Sequence, residues 1–446
     1  MSRSKSRPNI WLDSILATIF ILLFMGVLNL TFQKVNLEGF DAIGQALNDM
    51  DITDMAFSDT TVRAPLPIDT TIVLVNLGPL GRAGIADQIR IIDKYSPKVI
   101  GIDSFFKGFA GDTLATYSLA DAINSAKAEV VLVAKVDQSD TLLKKAEGKE
   151  IYDTWYLSDS IFTQNVHFGM ANLDTKAKVQ EDVKICRAFP PIRKVINDPV
   201  PKIAFGALMA DLYDSTKINK LLKRNNTFEL VNFRGDIFLP PFVFDARTGS
   251  FYEQDQEDQF IRFQALEWDQ VLNEDFAPEM IQGKIVLFGY MGEKLGAIQW
   301  EDKFFTPLNS KIAGRANPDM YGPVIHANIA SMVLNEDYVG GFNSTIEAIM
   351  GIALLFINVF LFSLIYHRFG AWYDGITKLI QIIELIVVTL IVLYIFAAYS
   401  FKLELSIAFF GIALVGDMLE VYYGVIKNVF NKKTLNKLLT LGKRKE

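Results

Sequence analysis

A chain of 446 residues that is 50% hydrophobic and carries 34 phenylalanines is too apolar for intrinsic disorder and rich for a soluble enzyme. A net charge of only -7, with Lys and Arg scattered, argues against a nucleic-acid groove. The single cysteine, Cys186, permits no internal disulfide, and His167, His326 and His367 are sparse material for a metal centre. Neither a Walker phosphate loop nor a Gly-x-Ser-x-Gly elbow occurs, so the expectation is a non-enzyme without cofactor or metal.

The first nine residues include Arg3, Lys5 and Arg7, and no charge follows from Ser14 to Gln33. An uncharged run of that length matches what a helix needs to cross the hydrocarbon core. A signal peptide begins in the same way. However, the run is long for one, and no Ala-x-Ala-like cleavage site follows in Asn29-Leu-Thr-Phe-Gln-Lys34. The reading is a retained anchor over 10–32, preceded by a cytoplasmic segment, 1–9.

Between this anchor and the next apolar run lies a domain of residues 33–344. Its start, Glu38 to Asp59, is acidic, with Ile43, Leu47 and Met50 at helical spacing as a connector. Thr71-Ile-Val-Leu-Val-Asn76 reads as a strand, and Ala83 to Tyr95 as a helix with Ile85, Ile89 and Ile92 on one face, stopped by Pro97. Val99 to Ile102 is a second strand, Ala120 to Ala126 a helix, and Glu129 to Val136 a third strand. This alternation predicts an α/β extracytoplasmic domain, its mostly parallel or mixed sheet flanked by helices. Further along, His167 to Leu173, Glu229 to Phe233 and Gly283-Lys-Ile-Val-Leu-Phe-Gly289 read as strands. Ile203 to Tyr213 and Val324 to Leu334 read as helices, the latter after a loop from Phe305 to Pro323.

Three closing apolar runs, 345–366, 379–399 and 405–426, complete four transmembrane helices. The loop 367–378 holds Arg368 and Lys378, and the tail 427–446 holds Lys427, Lys432, Lys433, Lys437, Lys443, Arg444 and Lys445. The positive-inside rule then puts both, with the N-terminus, in the cytoplasm. The loop 400–404 and the large domain lie outside, giving a multi-pass protein of the cytoplasmic (inner) membrane with a periplasmic domain. The short tail after Ile426 is expected to hold no catalytic domain, so any output would belong to another polypeptide.

Within the spans, Glu384 lies about 9 Å beyond Lys378 at the helical rise, and Glu420 and Asp417 about 10 and 15 Å before Lys427. Asp417 and Glu420, three apart, share a helix face. Without an obvious basic partner, Glu384, Asp417 and Glu420 form an expected intramembrane polar cluster. A charged acid in mid-span costs a few kcal/mol. Three roles stay open: protonated packing groups, contacts to a partner's spans, or a proton or ion path.

The stretch KVIGIDSFF, from Lys98 to Phe106, ends a strand on Asp103. Ligands of open α/β sheets collect outside the carboxyl ends of strands. Asp103, Asn76 and Asp137, at the ends of candidate strands, are therefore candidate ligand-binding residues, with Asp103 and Asn76 read as ending neighbours. Asp103 can equally cap the next turn. His326 and Asn328, on an otherwise apolar helix, are further candidates. His326 is either a buried, hydrogen-bonded residue holding the preceding loop or a ligand contact or pH sensor. Asp174 is a turn residue or part of the same crevice, and Asp302 an exposed charge.

The ordered set IVLVN, KVIGIDSFF, HFGMANLD with Arg187, VNFRG, GKIVLFGYMGE, DKFFTPL and YGPVIHANIASMVL, followed by three spans, resembles the type-two CHASE domain. The most specific parts are the GKIVLFG strand, the Thr306-Pro307-Leu308 turn and the His326-Ala327-Asn328 helix. The resemblance covers nearly the whole chain. It implies a sensory extracellular α/β module followed by three spans, a module that is associated with cyclases and histidine kinases. Where that family typically has Asp after the first strand, this chain has Asn76, followed by Leu77-Gly78-Pro79. The expectation is a membrane-anchored sensory or ligand-binding protein that signals through separate partner proteins, other membrane proteins or a signalling output, with a homo-oligomer left open. The rivals are a structural or assembly subunit of an envelope complex and a transport subunit using the intramembrane acids.

Overall fold

The computed structural model describes residues 9–34, 52–59, 62–109, 111–139, 142, 151–175, 185–196, 198–238, 242–245, 250–253, 260–297, 302–309 and 318–427. The chain divides into two compact units, residues 1–53 with 340–446 and residues 54–339. The expected helical face of Ile43, Leu47 and Met50, the central part of the Phe305–Pro323 loop and the basic tail beyond Lys427 lie outside the described residues.

The 54–339 unit is built on one large sheet. Its strands are β1 (Ile72–Asn76), β2 (Val99–Asp103), β3 (Glu129–Asp137), β4 (Thr154–Tyr156), β5 (His167–Met170), β6 (Asp236–Ile237), β7 (Ile261–Leu266) and β8 (Ile285–Gly289). The order is β6-β7-β1-β8-β2-β3-β4, with β5 also on β3. Every pairing is parallel except β3 with β4. Buried on both faces, β1 and β8 are continuous apolar runs, as a covered parallel sheet requires. The order corrects one expectation. β8, read as a buried strand, inserts between β1 and β2, so Asn76 and Asp103 do not end neighbouring strands.

Two helices, Arg82–Lys94 and Thr113–Asn124, cover one face, where Ile85, Ile89, Leu119 and Ile123 pack with Val73, Ile100, Val130 and Val286. The second helix starts seven residues before its expected position because Asp112 caps it, accepting from Ala115 N at 3.0 Å. On the other face lie helices Phe205–Tyr213 and Gly322–Asn335. They cross closely: a Cβ on Gly206 would stand 2.5 Å from the carbonyl oxygen of His326, so only glycine fits there.

β7 is not among the strands expected from sequence, although Ile261-Arg-Phe-Gln-Ala-Leu266 alternates apolar and polar residues. In the fold Arg262 is buried, 3.2 Å from Asp69 Oδ2, and also donates to the Pro67 carbonyl. Ser331 Oγ donates to the same Asp69 oxygen at 2.5 Å, tying β7 to the helix Gly322–Asn335. A second buried pair joins Asp54 to Arg187.

In the other unit, helices Ile10–Lys34, Ser344–Phe369 and Tyr373–Tyr399, and Ser406–Val421 with its wide-turn continuation to Ile426, are long and apolar enough to cross a membrane. The third starts at Tyr373 rather than 379, which brings Lys378 inside the helix. Ala17, Ile21, Leu355, Val359, Phe362, Val415 and Leu419 form its core. Polar ties lock the bundle. Lys427 Nζ lies 2.5 Å from Asp13, Tyr373 Oη donates to the Gly416 carbonyl at 3.0 Å, and Gln381 Nε2 donates to the carbonyls of Ile412 and Ala413 at 2.7 and 3.0 Å.

Candidate functional site: the carboxyl edge of the sheet

Register puts Asn76, Gly289 and Asp103 side by side at the carboxyl ends of β1, β8 and β2. Gly289 stands in the middle because Pro323 presses against the place its Cβ would fill. Asn76 is buried and fully engaged. Its Oδ1 accepts from Gly78 N at 3.0 Å and Met291 N at 2.9 Å, and its Nδ2 donates to Gly292 O at 3.0 Å and Glu267 Oε2 at 3.3 Å. Burial raises the Glu267 carboxyl, an effect opposed by the Leu295 N–H and by Asn76. This explains why an amide suits this strand end: aspartate would present a second carboxylate to Glu267 and leave Gly292 O without its donor. Asn76→Asp should cost about 2 kcal/mol at neutral pH. The loss should shrink at acid pH as one of the two carboxyls takes a proton, measurable as a Tm difference that narrows on acidification.

Asp103 is the buried titratable group beside Gly289. It does not cap the following turn: among the described residues its carboxylate makes no hydrogen bond or ion pair. Its side chain lies beside the N-terminus of the helix Gly322–Asn335, where a Cβ on Gly322 would be 3.8 Å from Oδ2. Burial raises its pKa to about 7, and the neighbouring Asp302 carboxylate pushes the same way. Asp302 itself is exposed, as its sequence suggested. A carboxyl poised near neutrality at the mouth of a sheet can exchange a proton or receive a cationic or hydrogen-bond-donating ligand.

Three residues that sequence reasoning missed form a second buried group, away from the carboxyl edge, since Asp236 pairs with Ile261 at the start of β7. Asp319 accepts from Thr306 N at 2.9 Å, Thr306 Oγ1 at 2.5 Å and Asn309 Nδ2 at 3.2 Å, which organises the Thr306-Pro307-Leu308 turn. Burial still lifts it to about 6. Asp236, which opens β6, is raised to about 7 by burial, opposed by the Ile237 N–H and raised further by Asp319. Burial lowers Lys303, against the pull of Asp236 and Asp319. Asp236 and Asp319 are 83 residues apart in sequence, so no local spacing announces them; only the Lys303–Phe304 pairing with Met320–Tyr321 brings the loop to β6.

The other candidates do not join this edge. Asp137 lies five residues beyond Leu132, where β2 and β3 stop pairing, which is about 16 Å along the strand. Burial pushes its carboxyl up, but Lys135 at 2.8 Å and the Gln138 N–H outweigh this and hold it below the usual range. Asn328 is a clamp: Nδ2 donates to Gly235 O and Val324 O at 2.8 and 3.0 Å, and Oδ1 accepts from Arg234 N at 2.9 Å. His326 is buried edge-on against Phe205, ring centroids 5.2 Å apart, and burial lowers its pKa to about 4. Its Nδ1 makes no hydrogen bond, so the expected bond to the preceding loop is not formed, and the ring packs on the helix Phe205–Tyr213 instead.

In the membrane-type unit the expected absence of basic partners is corrected. Lys378 Nζ lies 2.6 Å from Asp417 Oδ1, with both side chains about half exposed. With its amide turned so that the nitrogen faces the acid, Asn358 donates to both oxygens of Glu384, at 3.0 and 2.6 Å. Glu420 is exposed on the Asp417 side of its helix. Tyr366 stacks on Tyr423 at 4.6 Å, and Tyr373 Oη reaches the Gly416 carbonyl, next to Asp417 in sequence.

Searches against curated proteins and against solved structures returned no match. A family model described as the CHASE2 domain matches residues 16–365, more than three quarters of the chain, and takes in β1 to β8 and the whole carboxyl edge. With its parallel sheet, its GKIVLFG strand at the centre and its His326–Asn328 helix packed behind, the chain belongs to the CHASE2 domain family.

Proposed function

We propose that the chain is a membrane-anchored sensory protein that catalyses nothing itself and passes its signal to separate partner proteins, with the 54–339 unit on the extracytoplasmic side of the inner membrane. The observation that carries this reading is the family match over 16–365, since CHASE2 is a family of sensory extracellular domains. Four helices of spanning length and composition support the anchoring, and the distribution of Arg and Lys supports the orientation. The carboxyl edge, with Asp103 poised near neutrality beside the start of the helix Gly322–Asn335, offers a place where ligand or proton binding changes charge. The exposed strip of Lys378, Asp417 and Glu420 gives a partner's span charged groups to meet.

Affinity purification of the full chain in mild detergent should bring down a stoichiometric membrane or signalling protein. Isolation of the chain alone from native membranes, or turnover of a substrate by the pure chain, would sink the reading. Protease added to spheroplasts should digest the 54–339 unit, and its survival would refute the orientation.

A further inference from the structure

The chain passes from the 54–339 unit into the spanning unit at Val339–Gly340, and it is held on each side of that peptide bond. We propose that the short ladder of Gly340–Gly341 with Phe401–Lys402 hands a change of charge at Asp103 to the helix pair Tyr373–Tyr399 and Ser406–Val421. This coupling rests on the sensory reading and adds to it an input and a receiver.

The input lies at one end of a single stiff element. Asp103 stands beside the first turn of the helix Gly322–Asn335, where backbone N–H groups have no intrahelical partner. A carboxylate is favoured at such a position far more than a neutral carboxyl, so one proton changes the pull on this helix end. The charged neighbour that acts on Asp103 is Asp302, another acid, and no cation among the described residues offsets it. The helix is about 20 Å long and buried from Gly322 to Val333. Packed helices of this kind shift as bodies between discrete arrangements. Past its end, Asp337 N donates to Met332 O at 3.0 Å, and the Asp337 carboxylate lies 2.6 Å from Arg234 Nη2. The Tyr338 ring lies 5.2 Å from the Arg224 guanidinium, which also donates to the Val339 carbonyl at 2.7 Å. Nothing slack separates the helix from Gly340.

The receiver is the loop between the last two spans. Gly340 N donates to Ser400 O at 2.8 Å, and Gly340 and Gly341 pair in parallel with Phe401 and Lys402. The ring of Phe401 lies so close that a Cβ on Gly340 would stand 2.7 Å from it, and it meets Phe342 edge-on at 4.9 Å. A third tie follows where Glu404 N donates to Glu347 Oε1, in the first turn of the helix Ser344–Phe369, at 3.2 Å. Without these ties the peptide chain would carry a movement of the linker into Ser344–Phe369 alone. With them the same two glycines pull on the loop that joins the other pair.

The test uses the full chain in lipid nanodiscs, spin-labelled at Leu12→Cys and Gly375→Cys on a Cys186→Ala background. Leu12 is exposed and Gly375 has open space for a side chain, so the labels read the distance between the first and third spanning helices. Raising the pH from 5 to 8 should change that distance by about 2 Å, the size of an ordinary helix shift. Asp103→Asn, which keeps Asp236, Asp319 and His367, should abolish the change. Gly340→Pro, which removes the N–H bonded to Ser400, and the milder Phe401→Ala should abolish it too. A parent that does not respond, or a response that survives Asp103→Asn or either ladder variant, would overturn the coupling. The sensory reading would then stand with another input or route, and capture of a partner tests it independently.

Discussion

Alanine at Arg262 should destabilise the 54–339 unit by about 3–5 kcal/mol, because it strands the buried Asp69 carboxylate that the guanidinium now meets at 3.2 Å. Ser331 alone would remain on that oxygen, and the Pro67 carbonyl would lose a donor. The effect should appear as a drop in Tm of roughly 10 °C for the purified chain, with circular dichroism at low temperature unchanged. The pair's net worth is a separate matter, since two ions were desolvated to make it. Arg262→Met combined with Asp69→Leu should therefore recover most of the loss. A single variant within 1 kcal/mol of the parent, ~1 kcal/mol being the scale of one ordinary hydrogen bond, would show that solvent reaches Asp69.

Asp103→Asn should do the opposite, and only above acid pH. The folded carboxyl has a pKa near 7 against an ordinary 3.8, so between those values the folded chain holds a proton that the unfolded chain has lost. Stability therefore falls as pH rises from about 4 to 7, and the whole penalty is present at pH 8. Three pK units correspond to about 4 kcal/mol, reduced to about 3 because the group is partly open to solvent. The amide should stabilise the chain by that amount at pH 8 and by almost nothing at pH 4. His326 works with the reverse sign, favouring the folded state less as pH drops below 6.5, but it is common to both proteins and cancels in the difference. A pH-independent gap between parent and variant would remove Asp103 from the list of poised groups.

How much of this could be read from residues alone depends on the range of the interaction. β1, β2, β3 and β8 announce themselves because each is a short apolar run bounded by Pro, Gly or a polar turn, and that pattern is local. Sheet order is not local: nothing in VIGID or IVLVN says that IVLFG will stand between them, and the mistaken adjacency of Asn76 and Asp103 followed from that. β7 is a different case: Ile261-Arg-Phe-Gln-Ala-Leu266 carries the alternation of a strand, but what buries Arg262 is Asp69, almost 200 residues earlier. The candidate residues divide along the same line. Asp103 was found because a carboxylate at the end of an apolar run is visible in sequence. Asn328 was visible too, but its three hydrogen bonds, which make it a clamp, run to Gly235, Arg234 and Val324 and could not be foreseen. Asp417 was read as unpartnered because Lys378 was assigned to a loop; starting the helix at Tyr373 turns that lysine toward it.

The position of β8 also governs how the domain can be made. The middle of the sheet is supplied by a segment that leaves the ribosome about 180 residues after β2, so β1 and β2 have an empty lane between them until then. Closing that lane is a contact of very long loop length, the kind that folds slowly. A chain interrupted before Ile285 would carry two strands with unsatisfied inner edges and no way to join them directly without changing their order. Closure of the sheet is thus a late event, since β1 and β2 gain their shared neighbour only once β8 has been made.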